Sequence, residues 1–208
     1  MSMKMLEWFV KASGHTKNIL THKYWVARYC FKLGLYWQGV THDLSKFHPT
    51  EFLESVRYYV GTSSPINECK KANGYSDAWF HHRGNNKHHY EMWVDNFDNG
   101  GKMLVIPYKY VCEMLCDYLG AARTYYGREG GVFTYKKEYE WWRTTKMKNS
   151  AMHSVVKNFL DEVLRELMEC EGEGKDIDLV MNNEHLGRIY DKHLKNCGGD
   201  EYIRDLFA

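Results

Sequence analysis

Three observations predict an all-α fold. Apolar residues recur at three- and four-residue spacing through most of the chain, helix start and stop residues bracket those runs, and no stretch alternates long enough to build a sheet. The first run, Leu6 to Leu35, repeats Phe9, Val10, Ile19, Val26, Tyr29, Cys30 and Leu33; it predicts one long helix, or two if Gly14 breaks it. Pro49 suits a first helical turn, and Phe52, Leu53, Val56, Tyr59 and Val60 carry that helix toward Gly61. Thr62 to Tyr75 reads as a loop. Short helices are expected over Ser76 to His82 and about Lys87 to Phe97, then a turn at Asp98-Asn99-Gly100-Gly101. Met103 to Ile106 is the one strand candidate and is too short for a sheet.

Pro107 opens a helix through Val111, Met114, Leu115, Tyr118, Ala122 and Tyr125, ending near Gly127. Beyond the glycine-rich Gly127 to Gly131, a polar and aromatic helix covers Tyr135 to about Met147. The clearest amphipathic stripe follows: Met152, Val155, Val156, Phe159, Leu160, Val163, Leu164, Leu167 and Met168, ending at Gly172. The expectation is one domain over 1–208, with a helical core at about 6–127 and a helical extension at about 132–208.

With 28 basic and 27 acidic side chains among 208 residues, the chain carries no broad field for capturing extended nucleic acid. Cys30, Cys69, Cys112, Cys116, Cys170 and Cys197 show neither zinc-ribbon spacing nor the density of a secreted disulfide scaffold, which suits reduced thiols in a cytoplasm. Cys112 and Cys116, four apart, read as small core residues rather than as a ligand pair. No run approaches the ~20 apolar residues of a membrane span, so no membrane partner is expected.

His42-Asp43 in Thr41-His42-Asp43-Leu44-Ser45-Lys46-Phe47 sets an imidazole and a carboxylate beside an ammonium three residues on, a compact kit for holding a cation next to a phosphate. His81-His82-Arg83-Gly84-Asn85-Asn86-Lys87-His88-His89 adds four imidazoles, which would repel one another when protonated and which a divalent ion accepts as neutral ligands. A solvated histidine loop would account for that segment but not for His42-Asp43 or Asp117. His22 alone on a helix would read as an ordinary residue.

The order His22, His42-Asp43, His81 or His82, His88-His89, Asp117 resembles the HD-domain superfamily of metal-dependent phosphohydrolases, and the additional histidines resemble its two-metal branches. The resemblance covers about Gly14 to Tyr126 and implies an HD-like helical bundle. It implies that His22, His42, Asp43 and Asp117 bind a first ion, that Asp43 bridges to a second, and that His82 or His81 binds the second with His88 and His89. Lys46 matches the family lysine that holds substrate phosphate. The departure is spacing, since five residues separate His82 from His88 and this interval is shorter than usual in the family; a mononuclear variant therefore stays open.

Around these, His15 and Asn18 share the His22 face of the first helix and form a polar stripe, while Glu91, three residues past His88, is a candidate to orient it. Arg83 and Arg123, with Lys87 and Arg128, are candidates for phosphate contacts. His48, His153, His185 and His193 read as ordinary residues. The resulting expectation is a cytoplasmic phosphohydrolase with one or two divalent ions (Mn, Fe, Co, Mg, Ni or Zn). Asp43 and Lys46 serve the chemistry and Lys46, Arg83 and Arg123 contact a small phosphate ester such as a nucleotide; the reading leaves room for a homo-oligomer. The rivals are an HD-type di-iron oxygenase and a non-catalytic nucleotide- or metal-binding module. An HNH nuclease is disfavoured, because its finger needs strands and wider histidine spacing.

Overall fold

The first helix, α1, runs unbroken from Met3 to Lys32. Gly14 does not interrupt it, because its missing side chain leaves room for another one: a Cβ there would lie 2.7 Å from the Tyr59 ring. The computed structural model describes residues 3–95, 98, 101–126 and 131–197. Gly34, at φ 72, ends α1 with Leu35 N–H donating back to Cys30 O. The chain then forms α2 (Tyr36–Thr41), a 3₁₀ turn (Leu44–Phe47) and α3 (Pro49–Arg57), with Pro49 in the first turn as its fixed φ favours.

Two of the expected boundaries are corrected. Inside the loop predicted over Thr62 to Tyr75 lies α4 (Pro65–Asn73), opened by Pro65 and stopped by Gly74 at φ 81. Both the start and the stop signal stand in the sequence, but Ile66, Cys69 and Ala72 are too thin an apolar stripe to announce a helix. After α5 (Asp77–Asn85), the helix predicted over about Lys87 to Phe97 does not form over its described residues, 87–95. His88 and His89 sit in a turn that enters a 3₁₀ turn (Tyr90–Trp93), and β1 (Val94–Asp95) pairs antiparallel with β2 (Lys102–Met103). The Trp93 indole is buried and donates to Lys87 O at 2.7 Å, a tertiary anchor that outweighs local helix preference. The predicted strand at Met103 to Ile106 survives only as this two-residue pairing. Residues 99–100 of the expected turn and Arg128 lie outside the described residues.

Next comes α6 (Tyr108–Tyr126), then α7 (Tyr135–Trp141), a π-helical turn (Trp142–Lys146) and α8 (Met147–Asn149). The π turn carries Trp142 inward, fully buried, with its indole N–H donating to Asp161 Oδ1 at 3.1 Å. The amphipathic stripe forms α9 (Ser154–Gly172), capped at its start by His153, and α10 (Asn183–Asn196) packs on it.

The protein is all-α. One apolar core joins Val26 and Cys30 of α1, Val111, Leu115 and Leu119 of α6, Phe159, Leu160 and Leu164 of α9, and Leu186 and Ile189 of α10. Each such side chain contributes roughly 1.5–3 kcal/mol by leaving water. The helices beyond residue 131 therefore share the core that supports the histidine-bearing half. Cys112 and Cys116 are fully buried in it, as core residues. Gly120 brings α6 against α1: a Cβ there would lie 3.2 Å from the Val26 backbone nitrogen. Among the described residues, no helix is long and apolar enough to cross a membrane.

Candidate metal centre

The helical repeat sets His22 on α1 three and seven residues beyond Ile19 and His15, on a face turned inward, and α6 packs along it. His22 Nε2 lies 3.0 Å from Asp117 Oδ1, 3.3 Å from His42 Nε2 and 3.4 Å from Asp43 Oδ2. His42 Nε2 lies 3.2 Å from Asp43 Oδ2 and 3.4 Å from Asp117 Oδ1. A cation with ligands at roughly 2.0–2.2 Å sets neighbouring donor atoms about 3.0–3.5 Å apart in tetrahedral or octahedral geometry. These four side chains can hold a metal ion.

A second such group consists of Asp43, His82, His88 and His89. Here His82 Nε2 and His88 Nε2 stand 3.4 and 3.5 Å from Asp43 Oδ1, so the two carboxylate oxygens of Asp43 face different groups. The turn after α2 makes this arrangement. Asp43 has φ 54, the one left-handed non-glycine residue among the described residues, a backbone state that aspartate tolerates better than most. Both of its oxygens are buried without a hydrogen-bond partner, as are His88 Nε2 and His89 Nε2. Lys46 Nζ approaches Asp43 Oδ2 to 2.5 Å, a close ion contact without hydrogen-bond alignment. Orphaned acceptors at this density fit a cation.

Two glutamates orient the rings. Glu113 Oε1 accepts from His42 Nδ1 at 3.0 Å and from His88 Nδ1 at 3.1 Å, leaving the Nε2 lone pair of one ring facing each group. His42, His88 and Glu113 also meet the spacing of a third metal-binding group, but these contacts use the ring nitrogens turned away from Asp43, which marks Glu113 as the shared orienting carboxylate. Glu51 Oε2 accepts from His82 Nδ1 at 2.8 Å, and Glu51 Oε1 from His81 Nδ1 at 2.6 Å. Ser45 and Asn86 also lie within hydrogen-bond reach of His82 Nδ1.

The electrostatics favour positive charge at the centre. Burial alone would drive the His42 imidazolium down, but the Asp43 charge, with Asp117 and Glu113 beside it, outweighs burial and raises its pKa well above the usual value, favouring a proton on Nε2 that a bound cation would displace. Burial likewise opposes ionisation of Asp43 and Asp117, yet the neighbouring histidines, with Lys46 beside Asp43, hold both far below the usual carboxylate range. His89 is the exception: burial and the charges of His88 and His82 push it well below, so it stays neutral and able to ligate.

A family model matches residues 11–166, from the third turn of α1 into α9. The chain belongs to DUF5662, a family of unknown function. No curated protein and no solved structure matches it. The DUF5662 match extends past Gly127, the expected edge of the HD-like core, and takes in α7, the π turn and most of α9. The buried histidine–aspartate cluster is compatible with the HD-domain resemblance.

Other expected residues of this DUF5662 chain fall elsewhere. Glu91 does not orient His88; Glu113 does, and Glu91 Oε2 is buried without a partner while its charge acts on Lys70 and Lys146. His81 stands behind Glu51 and stacks on His48 at 4.3 Å, and His48 caps α3. The Arg83 guanidinium lies over the Phe80 ring at 4.5 Å. Arg123 donates to Tyr29 Oη at 2.5 Å and lies over Trp25 and Phe133, at the edge of a cavity shared with Asn18. Sequence reasoning missed Glu113 and Glu51. Glu113 had a usable signal, one helical turn before Asp117; Glu51 had none, because its partner lies 31 residues away.

Proposed function

We propose that this DUF5662 protein is a metal-dependent phosphohydrolase acting on a small phosphate ester, with nucleotides the first substrate class to test. The observation that carries the reading is one buried carboxylate, Asp43, shared between two ion-competent groups with an ammonium, Lys46, against it. The histidine and aspartate order on successive elements supports an HD-like arrangement. When bound, the ion or ions supply a water with its pKa lowered toward ~7 and polarise the phosphoryl oxygen.

The chain's residues do the rest. His22, His42 and Asp117 would hold an ion on one side and His82, His88 and His89 on the other, and Asp43 belongs to both groups. Glu113 and Glu51 keep the Nδ1 protons away from the centre, so that each Nε2 stays a lone-pair donor. Lys46 offsets charge on the phosphate. The three imidazoles of the second group suit Mn, Fe, Co, Ni or Zn better than Mg, and this composition also keeps an iron oxygenase as the second reading.

Elemental analysis of protein purified without added metal, followed by assays on nucleoside mono- and triphosphates, cyclic nucleotides and simple esters, tests both. Near-stoichiometric metal with phosphate release is expected. Iron with dioxygen consumption and no phosphate release would favour the oxygenase; bound but unchanged nucleotide would favour a binding module. Lys46→Ala is expected to keep metal and lose at least tenfold in turnover, and metal loss in that variant would make Lys46 structural.

A further inference from the structure

His15 and Asn18 continue the inward face of α1 that carries His22. They are only 6% and 5% exposed, yet His15 Nδ1 and Asn18 Nδ2 have no hydrogen-bond partner among the described residues. A buried polar atom left without a partner is costly, and two on one stripe beside a metal-competent group point to a ligand. The Tyr59 hydroxyl donates to Asn18 Oδ1 at 3.4 Å, which orients the amide with its NH₂ free. The His15 ring is held near Phe52 and Tyr59, with centroids 5.5 and 6.1 Å away. Burial and the charge of nearby Lys46 lower the His15 pKa to about 4, so at neutral pH it offers an N–H without a charge.

We propose that Asn18, His15 and Lys46 form a donor cradle for the third non-bridging oxygen of a phosphate monoester. This rests on the phosphohydrolase reading, in which the ion-competent groups take the other two oxygens. A diester has two non-bridging oxygens and would leave the cradle without its acceptor; a monoester satisfies all three positions. The cavity of about 440 Å³ lined by Asn18, Thr21, Tyr59, Arg123 and Thr124 is of small-molecule size and shares Asn18 with the cradle, and the organic part of the ester would lie there.

Calorimetric titration of inorganic phosphate into the Mn²⁺-loaded full chain tests the cradle. Asn18→Leu is expected to weaken phosphate binding at least tenfold and Asn18→Asp more, with metal content unchanged, and His15→Gln should restore part of what His15→Phe loses. In the wild type, p-nitrophenyl phosphate should be hydrolysed with at least tenfold higher kcat/KM than bis(p-nitrophenyl) phosphate. Phosphate affinity unchanged in Asn18→Leu and His15→Phe overturns the cradle, as does preference for the diester if the variants fail to fold. Wild-type protein that takes up no metal overturns the phosphohydrolase reading instead. Phosphate binding to that ion-free protein, lost in Asn18→Leu, would leave the cradle standing, and no binding would remove it.

Discussion

The two ion-competent groups share Asp43 but are built in different ways. The first takes His22 from the middle of α1 and Asp117 from the middle of α6, two long helices locked together through the core. The second takes His82 from the last turns of α5 and His88 and His89 from the turn beyond it. Ligands on packed helices are placed by the scaffold, whereas ligands on a turn need local fastening, which Glu51, Glu113, Asn86 and the buried Trp93 provide. Rigidity is thus inherited from the core at one group and assembled from side chains at the other.

The largest expected effect breaks both at once. Asp43→Ala should abolish metal retention at both groups, whereas loss of only one ion by elemental analysis would show that Asp43 does not bridge. His22→Ala and His88→Ala separate the halves. Each is expected to lower a wild-type stoichiometry of about two metals per chain toward one. A wild-type value of one, with His88→Ala and His89→Ala fully loaded, would remove the second group as a metal site.

Subtler changes sharpen the contrast. Glu113→Gln should weaken metal affinity at both groups by roughly 10–100-fold, and Glu51→Gln at the second alone, since these carboxylates orient different sets of rings. Competition with a coloured chelator would read both constants, and an equal loss at both groups in Glu51→Gln would refute the division. A change outside the two groups concerns Glu138, buried on α7, where burial and the Asp117 charge raise its pKa from 4.5 to about 8. A carboxyl whose pKa is raised on folding stabilises the native state fully below pH 4.5, and that contribution is lost as pH climbs toward 8. In ion-free protein the loss is on the order of a few kcal/mol. Glu138→Gln should flatten the fall in urea-unfolding free energy between pH 5 and 8, and an unchanged slope would refute the assignment.

Much of the fold was legible because helix periodicity is a local signal. The stripe on α9, the start of α3 at Pro49 and the run of α1 all state their structure within a few turns. The helix α4 was hidden by its sparse apolar face, and the helix expected over the histidine-rich segment was overridden by Trp93, whose anchor no window of sequence contains. The residues put forward as ligands were legible through order and residue type, since imidazoles and carboxylates gathered along one chain have few other uses together.

What the sequence by itself determined was therefore the all-α class, the main helices and the set of side chains with metal-binding chemistry. Tertiary structure alone decided which nitrogen of each ring faces the centre. His42 finds Glu113 across 71 residues and His82 finds Glu51 across 31. It also decided that the oxygens of Asp43 face opposite ways, through a left-handed backbone turn held by the packing around it. The physical reason is range. A helical repeat records its own few turns, but a hydrogen bond between distant elements exists only after the apolar faces of α1, α6 and α9 have met and fixed where every donor points.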